Sequence, residues 1–417
     1  MKVVVINTSE HTGGAAIAAN RLMKALIDNG VEAKTLVLSK QTDDKNVISI
    51  QSSFIKRRIT QLNFLWERWI IFMHNRFSRK NLFKVSIANT GFQVSRHPLV
   101  KEADIVHIQW INQGFLSLEN IKDLMKSGKP IIWTMHDLWA ATGICHYPGN
   151  CEEYKLKCCN CPLLVRGKSD DLANKIFNKK KTLNLHKIHY VGCSLWISGK
   201  AKDSNLLKNA TIVSIPNPID TNTFYPKEKN AVRKRLQLPV DKRLLLFSAA
   251  KITDPRKGGI YFIDTCKLIS EKYPEIAQSI DIVLLGKGDD LFFSEAQMTT
   301  HTLRYISDDS ELADVYSAVD IFVIPSLEDN LPNTIMESMA CGTPCVGFNV
   351  GGIPEMIDHQ QNGYIATYKD SKDLAEGILW CMENYRILTI ETRKKAEKCY
   401  SKEVVVKQYI NLYQQFL

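Results

Sequence analysis

The chain has 417 residues, 45% hydrophobic and 24% charged, with a formal net charge of +10. That length exceeds what one hydrophobic core serves, so two domains are expected, and the composition excludes a disordered or fibrous protein. No apolar run approaches the roughly 18 residues that span a bilayer. MKVVVIN at the start is too short for a secretory leader, so a cytoplasmic protein is the expectation.

In chain order, short apolar runs alternate with helical stretches, the pattern of α/β layering. Residues 2–7 read as a buried strand, followed by the loop TSEHTGGAA and a helix from about 17 to 29. The window from Phe54 to Lys101 holds ten Lys or Arg against one acid, Glu67, and eight Phe or Trp. Within it Leu62, Leu65, Trp66, Trp69, Ile70 and Met73 keep helical spacing, so an amphipathic helix is expected. Its basic and aromatic character fits either a solvated face over core aromatics or a surface for an anionic membrane. A basic nucleic-acid-binding protein is the more distant alternative, and no nucleic-acid partner is expected, because no zinc-finger, RNP-type or helix-turn-helix pattern accompanies the charge.

Strands are expected at 103–110, 130–137, 188–194 and 210–220. The Pro- and Lys-rich stretch 222–243 marks a domain boundary, giving domains 1–220 and 221–400 and a closing helix 401–417. The second half repeats the rhythm. Strands at 244–250, 280–288, 320–326, 344–349 and 362–366 alternate with helices at 259–272 and 311–319 and one after Pro332. Each half reads as a doubly wound parallel sheet. Such sheets bind ligands beyond the carboxyl ends of their strands.

The stretch SLEDNLPNTIMESMACG (326–342) runs from such a strand end into a helix that Pro332 opens. A helix N-terminus attracts phosphate. Asp329 lies just before it and Glu337 about two turns inside; carboxylates repel phosphate but accept hydrogen bonds from hydroxyls. Amides for phosphate beside carboxylates for hydroxyls point to a nucleotide sugar. The plainer alternative is an acid favouring the helix dipole and a solvated glutamate. Lys251, Arg256 and Lys257, between a strand and a Gly-rich helix start, suit a diphosphate. Gly13 and Gly14 let backbone approach a ligand, without the full G-x-G-x-x-G spacing. His136 ends a strand beside Asp137, a setting that serves either structure or catalysis. The Gly-Asp-Asp at 288–290 reads as an ordinary turn.

Residues 325–357, PSLEDNLPNTIMESMACGTPCVGFNVGGIPEMI, resemble the signature of family 4 of the retaining glycosyltransferases, which have the GT-B fold. The likeness extends to TGGAAIAANRLMKAL, WTMHD, IPNPID and RKG, over nearly the whole chain, and is nearest to enzymes of bacterial capsule, O-antigen and colanic-acid assembly. It implies two Rossmann-like domains facing a central cleft, the donor nucleotide sugar held by the second and the acceptor by the first. It also implies a closing helix that packs back on the first domain, and retention without a catalytic metal. A lipid-linked saccharide acceptor at the inner membrane face would follow. The family's paired acids fall on Asp329, for the donor sugar, and Glu337, for the ribose hydroxyls. The backbone of Asn330, Leu331, Pro332 and Asn333 would serve sugar and phosphate. Lys257 matches a diphosphate-binding Lys, and its companion Arg falls on Lys251 or Arg256. His136 matches a His at the reacting centre, and Gly13 and Gly14 match the glycine loop. The chain departs from the family at Asp329, where a Glu is usual, so either the loop moves in or Glu328 shares the contact. A nucleotide-sugar epimerase of the same architecture is the alternative enzyme. UDP, GDP and ADP all suit these acids and cations.

Five of the eleven cysteines lie within CHYPGNCEEYKLKCCNCP. Cys158-x-x-Cys161 has metal-knuckle spacing, and Cys145 and Cys151 complete four ligands for a structural zinc, with Cys159 spare. Buried free thiols are the alternative; disulfides are not expected in a reducing compartment.

Overall fold

A computed structural model describes all residues except 52 and 289, and all their side chains except those of 290 and 291. The turn expected at 288–290 therefore lies partly outside the described residues. The chain forms two compact units, Met1–Pro216 with Val406–Leu417, and Asn217–Val405.

Unit 1 is built on seven strands, β1 (Lys2–Ser9), β2 (Glu32–Ser39), β3 (Val47–Ser49), β4 (Ile105–Ile108), β5 (Ile131–Met135), β6 (His189–Gly192) and β7 (Ile212–Ser214). Their order is β3-β2-β1-β4-β5-β6-β7, and every ladder is parallel. Unit 2 has β8 (Arg243–Lys251), β9 (Ile280–Lys287), β10 (Thr300–Leu303), β11 (Ile321–Ile324), β12 (Cys345–Phe348) and β13 (Gly363–Ala366). They run β10-β9-β8-β11-β12-β13, again all parallel. Each is the doubly wound α/β sheet expected from the sequence. Burial on both faces explains the unbroken apolar strands: Val3, Val4, Val5 and Ile6 are all buried, as is every residue of β11.

Strand order reverses between β1 and β4 in unit 1 and between β8 and β11 in unit 2. These switch points open a crevice at the carboxyl ends of the strands. In unit 2 a buried acid fixes the junction. Asp320, just before β11, pairs with Arg233 (2.7 Å) and Lys229 (2.8 Å) and accepts from the Leu244 amide of β8 (2.7 Å). Burial raises the pKa of this carboxyl, but the Lys229 and Arg233 charges outweigh it, so it stays below the ordinary value.

The end of the chain is bonded into unit 1. Tyr413 Oη lies 2.7 Å from His107 Nδ1 of β4, and Tyr409 Oη lies 3.0 Å from Thr134 Oγ1 of β5. Three strands escaped the sequence reading. β3 and β10 are short, and the apolar run of β2, Leu36 to Leu38, spans only three residues. The first helix starts at Gly14 rather than near 17, because Gly13 takes a positive φ of 92° as its N-cap.

Candidate functional site

The switch point of unit 2 gathers residues that lie about seventy positions apart. The loop after β8 ends in the short turn Pro255–Lys257 and leads into the helix Gly259–Lys272. The loop after β11 leads into the helix Asn333–Ala340. Asp254 shapes the first loop by accepting from the Arg256 amide (3.0 Å). Gly258, at φ +72°, lets it close on the second: a Cβ there would stand 1.8 Å from the Pro325 carbonyl oxygen. Gly351, at φ +62°, approaches from the other side, where a Cβ would stand 1.7 Å from the Asp329 carbonyl oxygen. No side chain fits at either place.

Within this clamp Lys257 Nζ donates to Asp329 Oδ2 at 2.5 Å, and Ser326 Oγ donates to the same oxygen at 3.3 Å. Arg256 Nη1 lies 4.0 Å from Asp329 Oδ2 and donates to the Glu328 carbonyl oxygen at 2.8 Å. The carboxylate that Lys257 meets is thus that of Asp329; Glu328 offers Arg256 its backbone. Burial pushes the Asp329 carboxyl up, and Lys257, Arg256 and the hydrogen bonds more than reverse this, leaving its pKa below the ordinary value. Arg256 reaches this corner, whereas Lys251 ends β8 as an exposed side chain.

Glu337, also buried, accepts from Tyr316 Oη at 3.0 Å. Burial and the neighbouring Glu337 charge push the Tyr316 hydroxyl well above its usual pKa, so it stays a donor. Tyr316 carried no sequence signal, since a helical Tyr reads as core. Asn330, Leu331 and Pro332 are buried and Asn333 is half-buried. Pro332 stands at the N-cap of the Asn333–Ala340 helix, which no side chain caps. Asn217, in the IPNPID segment, donates to Asn333 Oδ1 (3.1 Å).

Unit 1 repeats the arrangement with different chemistry. Gly13 and Gly14 are exposed between β1 and the first helix. Glu10 braces that loop by accepting from the Gln41 (2.5 Å) and Thr42 (2.9 Å) amides beyond β2, a role its spacing did not show. His136, after β5, places Nε2 2.7 Å from Gln109 Oε1; Gln109 Nε2 is 2.9 Å from His107 Nε2. Burial draws His136 down to about 4 against the pull of Asp137, and draws His107 down to about 3. Both imidazoles are therefore neutral near pH 7. The carboxylate of Asp137 meets His146 Nδ1 (2.7 Å), Trp110 Nε1 (2.8 Å) and the Trp139 amide (2.9 Å).

Cys145, Cys151, Cys158, Cys159 and Cys161 all line one small pocket in unit 1. Cys158 Sγ accepts from the Gly143 amide (3.2 Å), while Cys159 Sγ donates to Glu153 Oε2 (3.0 Å). Burial raises the thiols, Cys158 to about 12 and Cys161 to about 11. Among the described residues no group of three or more His, Cys, Asp or Glu is arranged to hold a metal ion. Sequence spacing brings four thiols to one cavity without closing them on one point. Close by, Lys180 is buried with its ammonium on the Trp139 (2.5 Å) and Thr142 (2.9 Å) carbonyl oxygens, and burial draws its pKa down to about 7.

Residues 242–384, which contain the whole Lys257–Asp329–Glu337 corner, match the family described as glycosyl transferases group 1. An N-acetyl-alpha-D-glucosaminyl L-malate synthase of Bacillus anthracis is 22% identical over 214 residues, 49% of this chain and 54% of its own. An N,N'-diacetylbacillosaminyl-diphospho-undecaprenol alpha-1,3-N-acetylgalactosaminyltransferase of Campylobacter jejuni is 24% identical over 202 residues, 47% of this chain and 52% of its own. The chain thus spans about half the length of these relatives. The Anabaena protein HepE, solved in complex with UDP-glucose, shares the fold with a TM-score of 0.67 over 100% of both chains at 14% identity.

Proposed function

Because residues 242–384 are a glycosyl transferases group 1 domain within a GT-B fold, we propose that the chain transfers a sugar from a nucleoside diphosphate donor to a saccharide acceptor. We infer further that transfer retains the anomeric configuration and that the acceptor is carried on a lipid, in bacterial surface-polysaccharide assembly. The relative that acts on a diphospho-undecaprenol substrate supports the lipid, and the UDP-glucose complex of HepE supports the donor class.

The observation that carries the reading is the 2.5 Å contact of Lys257 with Asp329 at the switch point, beside the buried Glu337. As the donor's bond breaks, negative charge grows on its diphosphate. Lys257 and Arg256 stabilise that charge with the amides opening the Asn333–Ala340 helix, in the place a divalent cation takes in other enzymes. Asp329, ionised at neutral pH, accepts from hydroxyls of the donor sugar and cannot donate a proton to the leaving group. Glu337, oriented by Tyr316, accepts from the ribose hydroxyls. The backbone of Asn330 to Asn333 lies along the sugar and phosphate. In unit 1, Gly13, Gly14 and the neutral His136 serve the acceptor, and His136 can accept a proton from its hydroxyl.

A thermal-shift screen against UDP-, GDP- and ADP-sugars tests this. One nucleotide class should raise Tm in proportion to the logarithm of its concentration. No shift with any of them would contradict the reading.

The cysteine cavity carries a separate proposal, a structural zinc on Cys145, Cys151, Cys158 and Cys161. Binding would close four thiolates on one centre and release their protons. The Gly143 amide at Cys158 and the buried Lys180 ammonium would offset part of the added negative charge.

A further inference from the structure

The helix Phe54–His74 of unit 1 belongs to none of the sites above, and its outer face is apolar. Ile55, Ile59, Leu62, Trp66, Trp69 and Met73 recur at steps of four and three. At 100° per residue these steps gather them within about 80° of arc, along roughly 27 Å of helix. All six are between 38% and 70% exposed. Trp66 and Trp69 stack on each other with centroids 5.1 Å apart. The plainer expectation, a solvated face over core aromatics, fails here: Phe54, Trp66, Trp69, Phe77 and Phe83 are all exposed.

The side turned inward is the charged one. Glu67, Arg68 and Ile71 are its buried residues. Arg68 pairs with Glu67 (2.8 Å) and donates to the Leu82 (2.5 Å) and Val85 (2.9 Å) carbonyl oxygens. Glu67 Oε1 accepts from the Ile87 (2.7 Å) and Ala88 (2.9 Å) amides. These bonds fix the rotation of the helix and hold the apolar stripe outward, the reverse of an ordinary surface helix. A contiguous exposed patch of this kind marks an interaction surface.

Cations bracket the stripe. Lys56, Arg57 and Arg58 stand in the first turn, and Arg76, Arg79, Lys80 and Lys84 follow the last; all are exposed. The first turn contains no acid, so its charges oppose the helix dipole. From 54 to 101 the one acid is Glu67, and it is buried. We propose that this helix lies on an anionic lipid bilayer, its stripe in the acyl boundary, its tryptophans at headgroup level and its cations on lipid phosphates. Phe77 and Phe83, among the second group of cations, extend the apolar contact. Charge rules against a second copy of the chain as the occupant: whichever way two such helices run, cations meet cations. The inference stands on this helix alone and does not depend on the reaction proposed above. Among the described residues no helix is long and apolar enough to cross a membrane, so the contact is peripheral.

Vesicle flotation of the full chain tests it. The protein should float with phosphatidylcholine vesicles containing about one third phosphatidylglycerol, stay behind with phosphatidylcholine alone, and be released by salt. The triple variant Leu62→Ser, Trp66→Ser, Trp69→Ser, and the triple variant Lys56→Gln, Arg57→Gln, Arg58→Gln, should each lose about tenfold or more in partitioning, with unchanged circular dichroism. Should either unfold, wild-type tryptophan emission decides: quenching by brominated anionic lipid, and not by brominated neutral lipid, supports the proposal. Equal partitioning of wild type and folded variants would overturn it. So would a lipid-free dimer that Leu62→Ser dissociates, which would make a second copy the occupant.

Discussion

The Asp329 corner of unit 2 and the Phe54–His74 helix of unit 1 both set charge beside apolar surface, with opposite bookkeeping. At Asp329 the cations Lys257 and Arg256 already face an acid within the protein. Around the helix seven exposed cations have no exposed acid within the window 54–101. On the proposed reading the first arrangement is a set of partners that a ligand rearranges, and the second is a surface that meets lipid. The contrast gives substitutions in the two regions different readouts, catalysis for one and location for the other.

The largest effect belongs to unit 2. Lys257→Ala should reduce transfer by about 100-fold or more, the scale of removing a group that stabilises transition-state charge, and Glu337→Gln should lose most transfer through its weakened hold on the donor's ribose. Both should retain the wild-type affinity for anionic vesicles. Loss of vesicle binding in these variants would erase the distinction between the regions. Asp329→Asn should lower transfer substantially while Glu328→Gln stays near wild type. The reverse order would move the sugar contact to Glu328.

Next is the helix. Its apolar triple variant should lose about tenfold in vesicle partitioning yet turn over a water-soluble acceptor at the wild-type rate. A parallel loss of turnover with the soluble acceptor would place the helix in the reaction.

A smaller effect concerns pH. His136 and His107 have folded pKa values of about 4 and about 3, below the unfolded value of about 6.5. Between these values the unfolded chain binds protons that the folded chain does not, so stability is full above about pH 6.5 and falls as pH drops toward 4. His107→Gln should flatten that slope in Tm measured against pH; an unchanged slope would show that the proton uptake lies elsewhere. Asp329 behaves likewise at lower pH: its pair with Lys257 stabilises above the unfolded pKa of about 3.9 and is lost as pH falls through the lower folded value. The smallest effect is metal content. About one zinc per purified chain supports the cysteine proposal, and below about 0.2 sinks it.

Much of the fold was legible, because strands buried on both faces are unbroken apolar runs. The eight-residue step from Asp329 to Glu337 was legible for the same reason: a strand end, a loop and a Pro-opened helix fix where both acids fall. The choice between Lys251 and Arg256 was not, since it depends on how the turn around Asp254 folds the loop back. Tyr316 was hidden because its role exists only across two helices. In unit 1, periodicity showed that the Phe54–His74 helix has a face, but not which face is buried. The contacts of Glu67 and Arg68 with residues 14 to 21 positions onward decide that, and no local pattern encodes them. Cysteine spacing pointed to four ligands around one metal; among the described residues the thiols share a pocket without that convergence.

The central claim is that Glu337 reads ribose while Lys257 reads diphosphate, and calorimetric titration tests it most directly. With wild-type protein, the preferred ribonucleoside diphosphate should bind at least about tenfold more tightly than its deoxyribose counterpart and than the free nucleoside. Glu337→Gln should lose the first preference and keep the second; Lys257→Ala should do the opposite. Both preferences surviving in both variants would contradict the account.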